Sequence, residues 1–99
     1  MPIVAVFQSA SLTREKYEQV CRKLTGGRRS RMESPADWPV EGCLAHAAGQ
    51  TPAGFRVVDV WTSQDAFQRF GEVLMPIMSE VGVEGVPEVY ETHAFVTAK

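Results

Sequence analysis

The order of strand-like and helix-like segments constrains the fold of this chain more than any other feature of its sequence. Four short β-rich segments and two segments with helical periodicity follow one another as strand, helix, strand, strand, helix, strand. The four predicted strands cover residues 2–8, 42–49, 55–62 and 88–96. At 99 residues the chain has the length of one small domain, so we expect residues 1–99 to form a single unit.

Both predicted helices have recognisable ends. The first follows cap residues at positions 11–13 and ends at Gly26 and Gly27, and the second begins at the N-cap Ser63. Pro76 removes a helical hydrogen bond, so we expect a kink or a restart there, with a short extra helix closed by Gly82. The apolar stripes at helical spacing are Tyr17, Val20, Cys21 and Leu24 in the first helix, and Phe67, Phe70, Val73 and Leu74 in the second.

This order of elements predicts the fold class. A split βαβ order usually folds as an α+β, ferredoxin-like βαββαβ domain, whose antiparallel four-stranded sheet carries both helices on one face. The short turn at residues 50–54 makes the second and third strands a hairpin. The other sheet face is bare unless a partner covers it, so we expect a homodimer.

Charge and cysteine content argue against several classes of function. The net charge of −2 is not that of a general nucleic-acid binder. Arg28, Arg29 and Arg31 could grip a phosphate, but so short a cluster is more often a solvated loop. Cys21 and Cys43 form no CxxC pair, and no metal-ligand spacing or glycine-rich phosphate loop is present. We therefore expect no cofactor, no metal and no nucleic-acid partner.

Two further features concern location and the longest connection. The first residues lack the basic region and long apolar run of a signal peptide, and no segment has the length of a membrane span. These features predict a cytoplasmic protein without a membrane partner. The connection at residues 25–41 is long for a compact domain, and Trp38 within it favours a loop that packs down on the domain and could serve as a lid.

Strand periodicity divides the side chains of the sheet between two faces. Small aliphatic residues such as Val58, Val60, Ala45 and Ala47 suit the helix-covered face. The face expected to meet a second subunit would then carry Leu44, His46, Val57, Asp59, Trp61, His93 and Phe95. This set is too apolar to lie open to water and too polar for a plain core, as is typical of an enclosed pocket.

His46 and Asp59 are the candidate catalytic residues. They lie on adjacent predicted strands with the same orientation, and a carboxylate beside an imidazole fixes its tautomer and increases its basicity. Such a pair could remove a proton from an acidic carbon or phenol. The alternative is a structural polar pair that satisfies a buried site at a subunit interface.

Four further residues are candidates for substrate binding. Trp61 could stack on an aromatic substrate or serve as a core residue, and Trp38 and Tyr90 are weaker candidates of the same kind. His93, with Glu91 beside it, could complete a polar cluster or lie at a dimer edge near the chain end.

The pieces GCLAHAAG and GFRVVDVWTSQDAFQRF, followed by a proline-interrupted helix that ends at Gly82, resemble the dimeric α+β barrel superfamily, which includes antibiotic-biosynthesis monooxygenases. The resemblance implies a homodimer whose sheets pack face to face, with a pocket in each subunit. It also implies activities such as cofactor-independent oxygenation or cyclisation of aromatic polyketides. The chain has no asparagine, although the oxygenase-type and haem-degrading members use one, and its second helix has no haem-ligating histidine.

Two functions remain open on the sequence alone. The first is an enzyme, such as a cofactor-independent monooxygenase or polyketide cyclase, in which His46 is the general base, Asp59 orients it and Trp61 walls the pocket. The second is a non-catalytic protein that binds a small ligand or serves as a dimeric assembly module.

Overall fold

The computed structural model describes residues 1–97, and it confirms the predicted order of elements. The strands are β1 (Ile3–Phe7), β2 (Cys43–Thr51), β3 (Gly54–Trp61) and β4 (Glu88–Glu91). The helices are α1 (Arg14–Leu24) and α2 (Gln64–Val81). Among the described residues, no helix has the length and apolar character needed to cross a bilayer.

The four strands form one antiparallel sheet in the spatial order β2-β3-β1-β4. This arrangement is a ferredoxin-like α+β fold, as the element order predicts. The hairpin of β2 and β3 is also confirmed, and its register pairs His46 with Asp59. Cross-strand partners share a face, so this register alone places the two side chains next to each other.

Local capping explains where the helices begin. The Thr13 hydroxyl accepts a hydrogen bond from the Lys16 N–H at the start of α1, and the Ser63 hydroxyl accepts one from the Ala66 N–H at the start of α2. Gly82 ends α2 with a φ of 90°, a left-handed conformation that glycine adopts without strain.

The predicted restart at Pro76 is wrong, because α2 continues through it to Val81 as one helix of 18 residues. Pro76 is exposed on the helix surface. The helix loses one backbone hydrogen bond there, and its apolar face on both sides of the proline supplies the packing that keeps it continuous.

The assignment of the two sheet faces from periodicity is also wrong, because the faces are reversed. Trp61 is completely buried and packs against Phe67 and Phe70 of α2, and Ile3 and Ala5 of β1 belong to the same cluster. The face that carries His46, Asp59 and Trp61 is therefore the one that the helices cover. The outer face carries the small aliphatic residues Val4, Val6, Ala45, Ala47, Val58 and Val60.

The last strand is shorter than predicted, since β4 ends at Glu91 instead of residue 96. The end of β4 is fixed by the next residue, Thr92, whose N–H and hydroxyl both donate hydrogen bonds to the Pro2 carbonyl. Beyond that point the described residues follow an irregular path, and His93 is exposed.

The long connection between α1 and β2 is folded around a buried carboxylate. Asp37, at the end of a short 3-10 turn, is 2% exposed and accepts hydrogen bonds from the backbone N–H groups of Glu33 and Ser34. Arg28 and Arg29 pair with its other oxygen at 3.1 and 3.5 Å. Backbone donors first, and the guanidinium groups after them, hold the pKa of Asp37 below its usual range.

Candidate functional site

A cavity of about 780 Å³ lies between the sheet and the two helices. Most of its lining is apolar and comes from both helices, from β1 and β3, and from the 25–41 connection. His46 and Asp59 lie on its sheet side, and Tyr17 of α1 also lines it. An apolar cavity with a few converging polar groups is the usual form of a small-molecule site.

His46 and Asp59 form the closest polar contact in this wall. The His46 Nδ1 atom lies 2.6 Å from Asp59 Oδ1, and only 12% and 9% of the two side chains are exposed. The pairing predicted from strand order and orientation is therefore confirmed, although it lies on the helix-covered face instead of a face that meets a second subunit.

Asp59 accepts a second hydrogen bond through its other oxygen. The indole N–H of Trp61 donates to Asp59 Oδ2 at 3.3 Å. An ionised carboxylate only accepts hydrogen bonds, so with Asp59 ionised the donor of the 2.6 Å contact is His46 Nδ1. In the neutral imidazole, Nε2 is then the acceptor.

Sequence reasoning missed Tyr17, which is the third member of this hydrogen-bonded chain. Its hydroxyl lies 2.7 Å from His46 Nε2, so it donates to the ring when the imidazole is neutral. The backbone N–H of Met32 donates to the Tyr17 oxygen in a long contact of 3.5 Å. The one available signal was a phenol on the apolar stripe of α1, since a buried tyrosine hydroxyl usually has a partner.

Burial changes the acidity of Tyr17 and of the two cysteines near the hydrogen-bonded side chains. It raises the pKa of the Tyr17 phenol, and the neighbouring Cys21 raises it further. Burial also raises the pKa of the Cys21 thiol to about 11 and that of the Cys43 thiol to about 12. Both thiols are therefore protonated near neutral pH, which makes them poor nucleophiles.

Trp38 and Trp61 hold different positions relative to the cavity. Trp38 lines it and meets the His46 ring edge-on, with ring centroids 5.1 Å apart. The predicted packing of the 25–41 connection through Trp38 is confirmed by its contact with the core. Trp61 lies behind the wall in the core, where its polar contact is with Asp59.

Tyr90 and His93 lie away from the cavity. Tyr90 is opposite Val4 on the outer sheet face and is 50% exposed. His93 follows β4 and is also exposed. The structure thus brings together His46, Asp59 and Trp38 from the predicted set, with Trp61 behind them, and it leaves Tyr90 and His93 outside.

A smaller groove of about 380 Å³ shares Tyr17, Met32 and His46 with the main cavity. Arg14 and Arg31 also line it, and each is engaged by a glutamate, Arg14 by Glu18 and Arg31 by Glu33. Within residues 1–97, no three histidine, cysteine, aspartate or glutamate side chains are grouped so that they could hold a metal ion.

The geometry supports one kind of chemistry best. Asp59, His46 and Tyr17 form a continuous hydrogen-bonded chain that ends at the cavity, and such a chain can accept, hold and return a proton.

No family model, no curated protein and no solved structure matches this protein. The likeness to the dimeric α+β barrel superfamily therefore rests on the sequence pieces described above and on the ferredoxin-like fold that it implies.

Proposed function

We propose that this protein is an enzyme that removes a proton from a small aromatic or polyketide-like carbon acid, with His46 as the general base and Asp59 as the residue that orients it. One observation carries the proposal: the His46–Asp59 hydrogen bond of 2.6 Å lies in the wall of a cavity of about 780 Å³. A paired imidazole in a mostly apolar site is well suited to this task.

The proposed step breaks one C–H bond of the substrate and leaves the electron pair on the substrate as an enolate. The proton enters the hydrogen-bonded chain of His46, whose imidazolium form faces Asp59. Oxygenation and cyclisation of aromatic polyketides both begin with such a proton removal, so a monooxygenase or a cyclase of the dimeric α+β barrel type is the proposed class. The proton-removal step itself uses only side chains of this protein.

Deuterium incorporation into β-tetralone tests the proposal without knowledge of the natural substrate. This bicyclic aromatic ketone has an acidic C–H beside its carbonyl, and exchange in heavy water is followed by NMR. We expect the wild-type protein to accelerate exchange and His46→Gln and His46→Ala to lose at least about 100-fold of that acceleration. His93→Gln is the matched control, because His93 is the other histidine and lies outside the cavity.

Circular dichroism and thermal unfolding must show that the His46 variants remain folded. If both folded variants exchange β-tetralone as fast as the wild type, the assignment of His46 as the base is wrong.

We also propose that the protein is a homodimer that pairs through the outer sheet face. Val4, Val6, Val58 and Val60 form an apolar surface there, and in residues 1–97 both helices pack on the opposite face. A contiguous apolar face of this kind favours association.

Light scattering tests this proposal and should give a dimer of the wild-type protein at micromolar concentration. Val60→Lys should give a monomer, and the control Gln19→Lys, on the exposed side of α1, should leave the dimer unchanged. A wild-type monomer would contradict the proposal.

A non-catalytic ligand-binding protein is the second candidate, because both ring nitrogens of His46 already have partners. A polar chain satisfied in this way could be purely structural. Binding of aromatic ketones without any acceleration of exchange would favour this candidate. For either function, the cytoplasmic location remains a prediction from the sequence.

A further inference from the structure

We infer that the hydroxyl oxygen of Tyr17, and not a nitrogen of His46, is the atom that takes the proton from the ligand, while Tyr17 passes its own proton to His46. This inference rests on the proposed function and deepens it. It makes Tyr17 the catalytic residue that touches the substrate, and it makes His46 and Asp59 the pair that drives the transfer.

The first argument is the occupancy of His46. Nδ1 is 2.6 Å from Asp59 and Nε2 is 2.7 Å from Tyr17, so neither nitrogen has a free position for a ligand. Each imidazole nitrogen takes part in one hydrogen bond in the ring plane. A ligand could reach a nitrogen of His46 directly only if Tyr17 first moved away.

The second argument is the free position on Tyr17. A phenol oxygen can donate one hydrogen bond and accept others. When His46 is neutral with its proton on Nδ1, the Tyr17 hydroxyl donates to Nε2, and its oxygen accepts one long contact from the Met32 N–H at 3.5 Å. Tyr17 also lines the cavity, and we place the ligand group at the remaining acceptor position of its oxygen.

The proton balance of the step follows from these contacts. The C–H bond of the ligand breaks, its electron pair stays on the ligand as an enolate, and a new O–H bond forms on Tyr17. The former Tyr17 proton moves to His46 Nε2, and the resulting imidazolium keeps its Nδ1–H bond to Asp59. Tyr17 ends the step as a neutral phenol, so the site avoids a free phenolate, which burial disfavours.

This arrangement also specifies the ligand. The acceptor position lies in a cavity whose remaining wall is mostly apolar. The ligand that fits is an aromatic or alicyclic ring system with an acidic C–H or O–H group, such as an enolisable ketone or a phenol.

Replacement of Tyr17 by phenylalanine separates the two possible proton paths. Phenylalanine keeps the ring that packs against Phe55 at a centroid distance of 5.3 Å and removes only the oxygen. If the proton passes through Tyr17, Tyr17→Phe should lose at least about 100-fold of the β-tetralone exchange rate. If His46 acts directly, the variant frees Nε2 and exchange should be equal or faster, which would overturn the inference.

Tyr90→Phe is the matched control, since Tyr90 is the other tyrosine and lies on the outer face. The two proposals fail in different ways. A wild-type protein that does not accelerate exchange refutes the proposed function, and the inference with it. An active wild type with an equally active Tyr17→Phe variant refutes the inference alone.

NMR of the histidine ring nitrogens gives a readout that does not depend on activity. In His93→Gln protein only His46 contributes signals. We expect a proton on Nδ1 and an Nε2 resonance typical of a hydrogen-bond acceptor, and this resonance should shift in Tyr17→Phe. A ring with its proton on Nε2 in the wild-type chain would overturn the inference, because Nε2 could not then receive the Tyr17 proton.

Discussion

Asp37 and Asp59 are both buried carboxylates, at 2% and 7% exposure, but their partners differ in kind. Asp37 is held by two backbone N–H groups and two arginines, all from residues 28–34 of its own connection. Asp59 is held by two side chains, His46 and Trp61, and through His46 it is connected to Tyr17 on another element.

The difference shows how a buried charge can serve structure or chemistry. The partners of Asp37 are permanent donors, so its hydrogen bonds fix the path of a loop and leave no proton to move. The partners of Asp59 include an imidazole that can gain and lose a proton, and the chain of contacts ends at a cavity. Asp37 therefore holds the fold of its loop, and the proposed function gives Asp59 a part in proton transfer.

The largest expected effect comes from Asp59→Asn. The amide no longer requires a proton on His46 Nδ1, so the ring can adopt the tautomer that cannot accept from Tyr17. We expect β-tetralone exchange to fall by at least about 100-fold, with little change in secondary structure. The comparison fails if Asp59→Asn keeps its activity while Asp37→Asn loses it.

Asp37→Asn should instead affect stability. One carboxylate oxygen becomes an NH₂ group that faces either backbone donors or a guanidinium group, so the cluster loses acceptors. We expect a fall of several degrees in unfolding temperature, measured by circular dichroism, with an exchange rate close to that of the wild type. Glu33→Gln is the control, since its ion pairs with Arg29 and Arg31 are exposed and should contribute little.

The pH dependence of stability should show the same assignment. The folded state lowers the pKa of Asp37, so the ionised carboxylate stabilises the fold fully above the ordinary aspartate pKa of about 4. This stabilisation is lost as the pH falls through the lowered pKa of the folded state. The difference in unfolding temperature between wild type and Asp37→Asn should be constant at neutral pH and shrink in acid. A difference that grew in acid would contradict the sign of this shift.

Trp61→Phe should have the smallest effect on catalysis. The variant removes the N–H that donates to Asp59 at 3.3 Å and keeps an aromatic ring against Phe67 and Phe70. We expect a loss of about 5-fold in exchange rate, which corresponds to one hydrogen bond of about 1 kcal/mol. A loss as large as that of Asp59→Asn would show that Trp61 also has a direct role.

Much of the fold was predictable, because it depends on local patterns. Helix caps, glycine stops and the β2–β3 turn set the order of elements, and the period of two along a strand set the pairing of His46 with Asp59. The covered face was not predictable in the same way. Periodicity separates two faces without saying which one meets the helices, and large residues such as Trp61 outweighed the small aliphatic residues.

The candidate site was predictable only in part for a related reason. Tyr17 reaches His46 across 29 positions of sequence, and this contact depends on how α1 docks on the sheet. The shortened β4 likewise depends on the tertiary contact of Thr92 with Pro2, which no local pattern indicates. Sequence patterns therefore found the hydrogen-bonded pair of His46 and Asp59 but not Tyr17, the third member of the hydrogen-bonded chain.

A crystal structure of the protein grown with β-naphthol tests the central claim most directly. We expect the aromatic ring to lie between the sheet and the helices, with its hydroxyl within hydrogen-bond distance of the Tyr17 oxygen and with His46 still bonded to Asp59. A cavity filled by side chains, or a ligand bound only elsewhere while His46 and Asp59 point apart, would contradict the claim that this buried pair serves chemistry.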